Sequence, residues 1–177
     1  MSGFSRGLIV TPGTERQLGA YGLFRPAPSQ HQVLALPSRV LPVKSADPDI
    51  LWVSFAELCG SPLELADYRQ LAGRFPAWVI DGVPSPALES ASGSASADAW
   101  HRFLDMLDLL HDRDIPLFLI GRGPLDWESA GRESAGSRPA DSPSRPGAPL
   151  ARIAKRLAML RRIESDEQLE DEQTAGC

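Results

Sequence analysis

Two short apolar runs, Ala77-Trp78-Val79-Ile80-Asp81 and Pro116-Leu117-Phe118-Leu119-Ile120-Gly121, bracket a segment with helical periodicity. Each run is bulky or β-branched, and each stops at a glycine, Gly82 or Gly121, which is how a buried strand ends. Between them, Trp100, Phe103, Leu104, Met106, Leu107 and Leu110 fall on one arc of a helix over Trp100 to Arg113. Ser96 or Asp98 is placed to cap its start, and Arg113 complements the dipole at its end. Strand, helix and strand in this order make a βαβ unit, in which the crossover helix covers one face of two parallel strands. This unit, Pro76 to Gly121, is the predicted core.

The flanking patterns add elements around it. Gly7-Leu8-Ile9-Val10 reads as a strand ended by Pro12-Gly13, and Thr14 caps a short helix through about Leu18. Pro26, Pro28 and Ser29 read as loop. Val33 to Leu36 and Val40 to Val43 form a hairpin, with Pro42 confining the second strand to an edge. After the turn Asp47-Pro48-Asp49, Ile50 to Phe55 is a stronger strand. Ser61-Pro62-Leu63-Glu64 has the chemistry of a capping box, and Leu65, Tyr68, Leu71, Ala72 and Phe75 then make one helical face closed by Pro76. A last helix, Leu150 to about Ile163, has the seam Leu150, Ile153, Leu157 and Leu160, with Arg152, Lys155, Arg156, Arg161 and Arg162 largely outside it.

Composition then divides the chain. Ser90 to Ala97 is Ser, Ala and Gly with almost nothing else, and Arg122 to Ala148 keeps no apolar period. Glu164 to Glu172 is an acidic tail. The expected organisation is a β-rich N-terminal segment (1–48), an α/β core (49–121), a disordered linker or insertion (122–148) and a C-terminal helix with its tail (149–177). The 177 residues carry a net charge of −5, so no basic field attracts nucleic acid. No apolar run reaches the ~20 residues of a membrane-spanning helix, and Met1 to Arg6 lacks a signal-peptide core. Two cysteines, Cys59 and Cys177, make no disulfide framework and fit a reducing cytoplasm.

Candidate chemistry is sparse. No Gly-x-x-x-x-Gly-Lys-Ser/Thr loop occurs, nor Gly-x-Ser-x-Gly, His-Glu-x-x-His or paired Cys-x-x-Cys. Gly121-Arg122-Gly123-Pro124 follows a strand, but its proline removes a donor where a phosphate loop needs one. Asp105, Asp108 and Asp112 read as a solvated helix face or as metal ligands; His101 and His111, ten apart, are not a metal pair. Cys59 reads as a buried thiol or as a nucleophile without a histidine pattern, and Tyr68 as a packed ring or a catalytic hydroxyl. An α/β enzyme site would lie beyond the strand ends at Asp81 and Gly121, where ligands of parallel sheets bind. No catalytic residue and no metal ligand is assigned.

One stretch supports a family expectation. Leu51-Trp52-Val53-Ser54-Phe55-Ala56-Glu57-Leu58-Cys59-Gly60-Ser61-Pro62-Leu63, followed by Ala66-Asp67-Tyr68, resembles the Phe-x-x-Leu-Cys-x-x-Pro-Leu and Ala-Asp-Tyr signature of the AFG-like, or ZapE-type, AAA+ ATPases. Phe75 with Trp78 to Pro84 resembles the family's next strand. Arg102-Phe103, Asp108, Leu110 and Asp112 resemble its Arg-Phe-Ile, Ile-Asp, Leu-Tyr-Asp helix, and Arg152 with Lys155-Arg156-Leu157 its closing helix. Here His111 stands for the family tyrosine and Lys155 for a serine. The matches, over most of residues 33–163, belong to the C-terminal half of such proteins. The P-loop, the Asp-Glu strand and the arginine finger lie upstream of it.

The resemblance implies a partial AAA+-like sheet with the βαβ core, ATP and magnesium as family cofactors not held by this chain alone, and no ATP turnover of its own. It implies a role linked to cell division or protein quality control. The implied partner is a protein, either a half that carries the P-loop or a component of the division machinery, in an oligomer that is cytoplasmic and peripheral to the membrane through partners. It makes Arg156 a nucleotide-adjacent residue. The alternative is a stand-alone adaptor that binds a partner through its C-terminal helix and tail.

Overall fold

A computed structural model describes residues 7–11, 13–60, 63–83, 97–121, 147–158 and 160–163. Six strands form the central sheet: β1 (Gly7–Val10), β4 (Ser45–Asp47), β5 (Ile50–Ser54), β6 (Trp78–Val83), β7 (Leu117–Gly121) and β8 (Arg161–Ile163). Their order is β4-β5-β6-β7-β1-β8, parallel except for β4 against β5. A separate antiparallel pair, β2 (Gln32–Ala35) and β3 (Val40–Val43), is the predicted hairpin. The helices are α1 (Glu15–Ala20), α2 (Phe55–Cys59), α3 (Leu65–Arg74), α4 (Ala97–Asp112) and α5 (Gly147–Leu157). The fold is the mixed α/β class that the sequence predicts, with no helix among the described residues long and apolar enough to cross a membrane.

The βαβ core stands as expected. Trp78, Val79 and Ile80 register with Leu117, Phe118 and Leu119 in parallel, joined through α4. Alternation along the strands splits the core in two. Ile9, Leu51, Val53, Trp78, Ile80, Leu117 and Leu119 face α2, α3, α4 and α5, where Phe103, Met106, Leu107 and Leu110 are fully buried. Phe55, Trp100 and Phe103 form an aromatic cluster with centroids 5.2 to 5.9 Å apart. On the other face, Leu8, Val10, Trp52, Val79 and Ile120 pack against Leu18 of α1 and Leu23. Gly7 begins β1 where a Cβ would sit 2.4 Å from the Leu117 carbonyl oxygen, so only glycine lets β1 approach β7 there.

Several boundaries differ from the periodic reading. The C-terminal helix ends at Leu157, and Arg161–Ile163 pairs with Leu8–Val10 as an edge strand. Leu160 keeps the apolar spacing but packs from the turn between the two elements, buried with Ile153 and Leu157. Phe55 opens α2 instead of ending β5, because the Ser54 hydroxyl accepts from Glu57 N at 3.2 Å and starts a helix. Helix α3 starts at Leu65, where Asp67 Oδ2 accepts from Glu64 N at 2.8 Å. Ser61 and Pro62 of the expected capping box lie outside the described residues. Leu65, assigned to the apolar face, is 44% exposed at the first turn of α3. Helix α1 is capped by Thr14 as predicted, reciprocally with Gln17, and runs on to Ala20. The expectations for Ser90–Ser96, Arg122–Pro146 and the acidic tail also fall outside the described residues.

Candidate functional site

Because β5, β6 and β7 are parallel and adjacent, their carboxyl ends meet along one edge of the sheet. Ser54 registers with Asp81, and Gly121 lies opposite Val83. Strand alternation turns Asp81 to the same face as Trp52 and Val79, under α1. Asp81 is 3% exposed. Its Oδ2 accepts from Lys44 Nζ at 2.6 Å and from Trp52 Nε1 at 2.8 Å. Its Oδ1 is buried and has no hydrogen-bond partner among the described residues. Gly82 follows with φ +63°, at a register shift between Ile80 and Val83. That left-handed residue lets β6 bend immediately after the carboxylate.

Beyond these strand ends lies a cavity of about 390 Å³, lined among others by Arg25, Lys44, Ser54, Asp81, Gly82 and Gly121. Arg25 reaches it from the loop after α1, held by a 2.7 Å bond from Nη2 to the Gly13 carbonyl. A second groove of about 330 Å³ shares Lys44 and Ser54 and continues between the hairpin and α2, past Val33, Pro42 and Glu57. The expected location for a strand-end site, Asp81 with Gly121, is therefore where the chain does form a cavity. Arg122 to Pro124, the rest of the glycine-rich stretch, lie outside the described residues.

The chemistry there does not fit a magnesium–nucleotide. A hard divalent cation needs open carboxylate oxygens, whereas Asp81 has one oxygen occupied by an ammonium and an indole and the other sealed from solvent. Sequence reasoning missed Lys44, Trp52 and Arg25 at this place. The available signal was Asp81 itself, since an aspartate ending an apolar strand requires buried donors. Lys44 and Lys155 are the only lysines in the chain, and one of them is used here.

The other singled-out residues gather elsewhere, around the end of α2. Tyr68 donates its hydroxyl to the Leu58 carbonyl at 2.9 Å, and Arg102 Nε donates to the Cys59 carbonyl at 2.7 Å. Two carbonyls orphaned at a short helix end are thus satisfied by α3 and α4. Asp67, fully buried, accepts from Ser38 N at 3.0 Å, from the Ser38 hydroxyl and from Glu64 N. Burial alone would raise its pKa, but these bonds and the nearby Arg39 hold it below the ordinary aspartate value. Cys59 is fully buried, and desolvation pushes its thiol far up despite the Arg102 charge and the Tyr68 bond. That is the opposite of an activated nucleophile. Desolvation likewise raises Tyr68, aided by Cys59.

On the far side of α4, Arg156 Nε donates to Asp108 Oδ1 at 2.7 Å, and Arg152 lies 3.8 Å from Asp108 Oδ2. Asp108 thus anchors α5 to α4 through an ion pair. Asp105 and Asp112 are exposed, and no metal-binding group of His, Cys, Asp and Glu occurs among the described residues.

A family model for AFG1-like ATPases matches residues 12–135. An uncharacterized protein of Schizosaccharomyces pombe is 30% identical over 98 residues, covering 55% of this chain and 20% of that protein. The chain therefore spans about one fifth of the length of the curated relative it matches. No solved structure matches. With most of its length and the whole α2–α3–α4 bond network inside the matched region, the chain belongs to the AFG1-like ATPase family.

Proposed function

We propose that this chain is a scaffold and partner-binding module of an AFG1-like, ZapE-type ATPase and does not turn over ATP alone. The observation behind this reading is where the family-matched side chains are spent. Tyr68 and Arg102 hold the α2 carbonyls, Asp67 ties the hairpin to α3, and Asp108 holds Arg156. Each makes a bond between elements of this chain. The strand-end carboxylate, Asp81, is equally committed to Lys44 and Trp52. ATP and magnesium would enter through a P-loop-bearing part, with this chain supplying surfaces for a protein substrate of cell division or quality control. A cytoplasmic place, peripheral to the membrane through partners, and a ring-like oligomer accord with that role.

Within this reading Arg156 is the nucleotide-adjacent residue of the chain. Its Nε is held by Asp108, and its remaining guanidinium donors are what a nucleotide brought by a P-loop-bearing part would meet. The adaptor reading has less behind it, since Ile153, Leu157 and Leu160 of the expected docking seam are buried in the chain's own core. The test is a magnesium-dependent ATP turnover assay on the full chain. Turnover at background is expected; turnover well above background that disappears in Arg156→Ala would overturn the proposal.

A further inference from the structure

We propose that the cavity beyond β5, β6 and β7 is a binding site for an oxyanion, the phosphate or carboxylate group of a small ligand. The wall of this cavity presents donors without matching acceptors. Lys44 Nζ gives one hydrogen to Asp81 Oδ2 and keeps two others. Arg25 gives one to the Gly13 carbonyl and keeps four. The Ser54 oxygen accepts from Glu57 N, which leaves its own hydrogen to donate. Asp81, the carboxylate among the described lining residues, cannot answer these donors, because its Oδ2 already takes two bonds and its Oδ1 is sealed from solvent. A group that only accepts, and carries negative charge, is what such a wall recognises.

The site is built rather than incidental. Asp81 is buried and holds the Lys44 ammonium, itself 39% exposed at the side chain, at the cavity. Arg25 is fixed by the backbone of a separate loop. Gly82 has open space where a Cβ would stand, so the floor is clear for a ligand. Among the described residues, two cations against one buried carboxylate leave the wall net positive on a chain whose net charge is −5. The volume of about 390 Å³ exceeds a bare phosphate and suits a small phosphorylated or carboxylated molecule. Glu57 in the adjoining groove repels a second anionic group, which sets the ligand's charge at one end.

The experiment is a titration of the isotope-labelled full chain, at constant ionic strength, with inorganic phosphate and separately with succinate, followed by amide NMR. The expected result is saturable shifts at Ser54, Gly82 and Gly121, with a dissociation constant of about 1 mM or tighter for at least one probe. Phosphate alone, or succinate alone, identifies which anion the site takes, and either supports the proposal. Arg25→Gln, a change at an exposed residue, should weaken binding by about tenfold or more without moving the melting temperature. Lys44→Gln should weaken it comparably, although it also leaves Asp81 without its cation. Absence of saturation by both probes up to about 20 mM, or unchanged affinity in Arg25→Gln, would overturn the site.

Discussion

Asparagine in place of Asp67 would test whether the family signature is structural. The two carboxylate oxygens accept three bonds, from Ser38 N, the Ser38 hydroxyl and Glu64 N. An amide at the same place keeps one oxygen and turns a donor toward a donor. At least one bond to a charged acceptor disappears, worth about 1.5–3 kcal/mol, and the remaining bonds lose charge assistance. Ser38 and Glu64 are exposed, so water recovers part of the loss, which leaves about 2 kcal/mol. For a chain of this size that lowers the melting temperature by about 4–8 °C.

The pH dependence supplies the sharper check. A carboxylate whose folded pKa lies below its unfolded value contributes stability that is complete above the unfolded pKa and lost as pH falls through the folded one. Asp67 is such a group. The stability gap between wild type and Asp67→Asn should therefore be full at neutral pH and close from about pH 4 downward. Urea unfolding at pH 7, 5 and 3.5 reads it directly. A gap under about 0.5 kcal/mol at pH 7, or one that does not shrink on acidification, would refute the role assigned to this carboxylate.

Three further outcomes follow from the same geometry. Gly82→Ala should destabilise by about 1 kcal/mol from its positive φ alone, because no described residue beyond its chain neighbours lies within 4 Å of the added methyl; calorimetry checks it, and a neutral result would place the strand end in another conformation. Arg156→Ala and Asp108→Ala should each cost no more than about 1 kcal/mol, with a coupling near 0.5 kcal/mol in the double-mutant cycle, since the pair is partly exposed. Cys59 should resist thiol alkylation in the folded chain and react once denaturant exposes it, given its full burial and raised pKa; rapid native-state labelling would contradict the buried placement.

Hydrophobic period was sufficient for the elements whose own residues decide them. The βαβ core, the hairpin and the arc of α4 are legible because each buries a regular set of side chains against neighbours. The elements that were not legible are short and depend on partners. Ser45-Ala46-Asp47 has no strand pattern, and only its pairing with Ile50–Trp52 makes it β4. Arg161-Arg162-Ile163 continues a helical spacing, and pairing with Leu8–Val10 overrides it. At the candidate site, Asp81 was visible as the end of a strand, but Lys44 and Arg25 come from distant loops. The family signature was legible as a motif, yet its meaning was not. Asp67, Tyr68 and Arg102 stand in the sequence as parts of the family motifs and prove to be the bonds that hold α2, α3 and the hairpin together.

The position of β1 also bears on how the chain reaches this fold. Strands β5, β6 and β7 can assemble in order, each beside its predecessor, but β1 registers Gly7 with Leu117 and Leu8 with Arg161. Contacts so distant along the chain carry a large closure entropy before any pairing repays it, and they slow folding. The first strand must wait for β7 to form and then become the template for β8. Strands β5, β6 and β7, with α3 and α4, should thus acquire protection from hydrogen exchange early in refolding. The β1–β8 edge should be last to be protected and first to open, making it the seam along which the molecule comes apart.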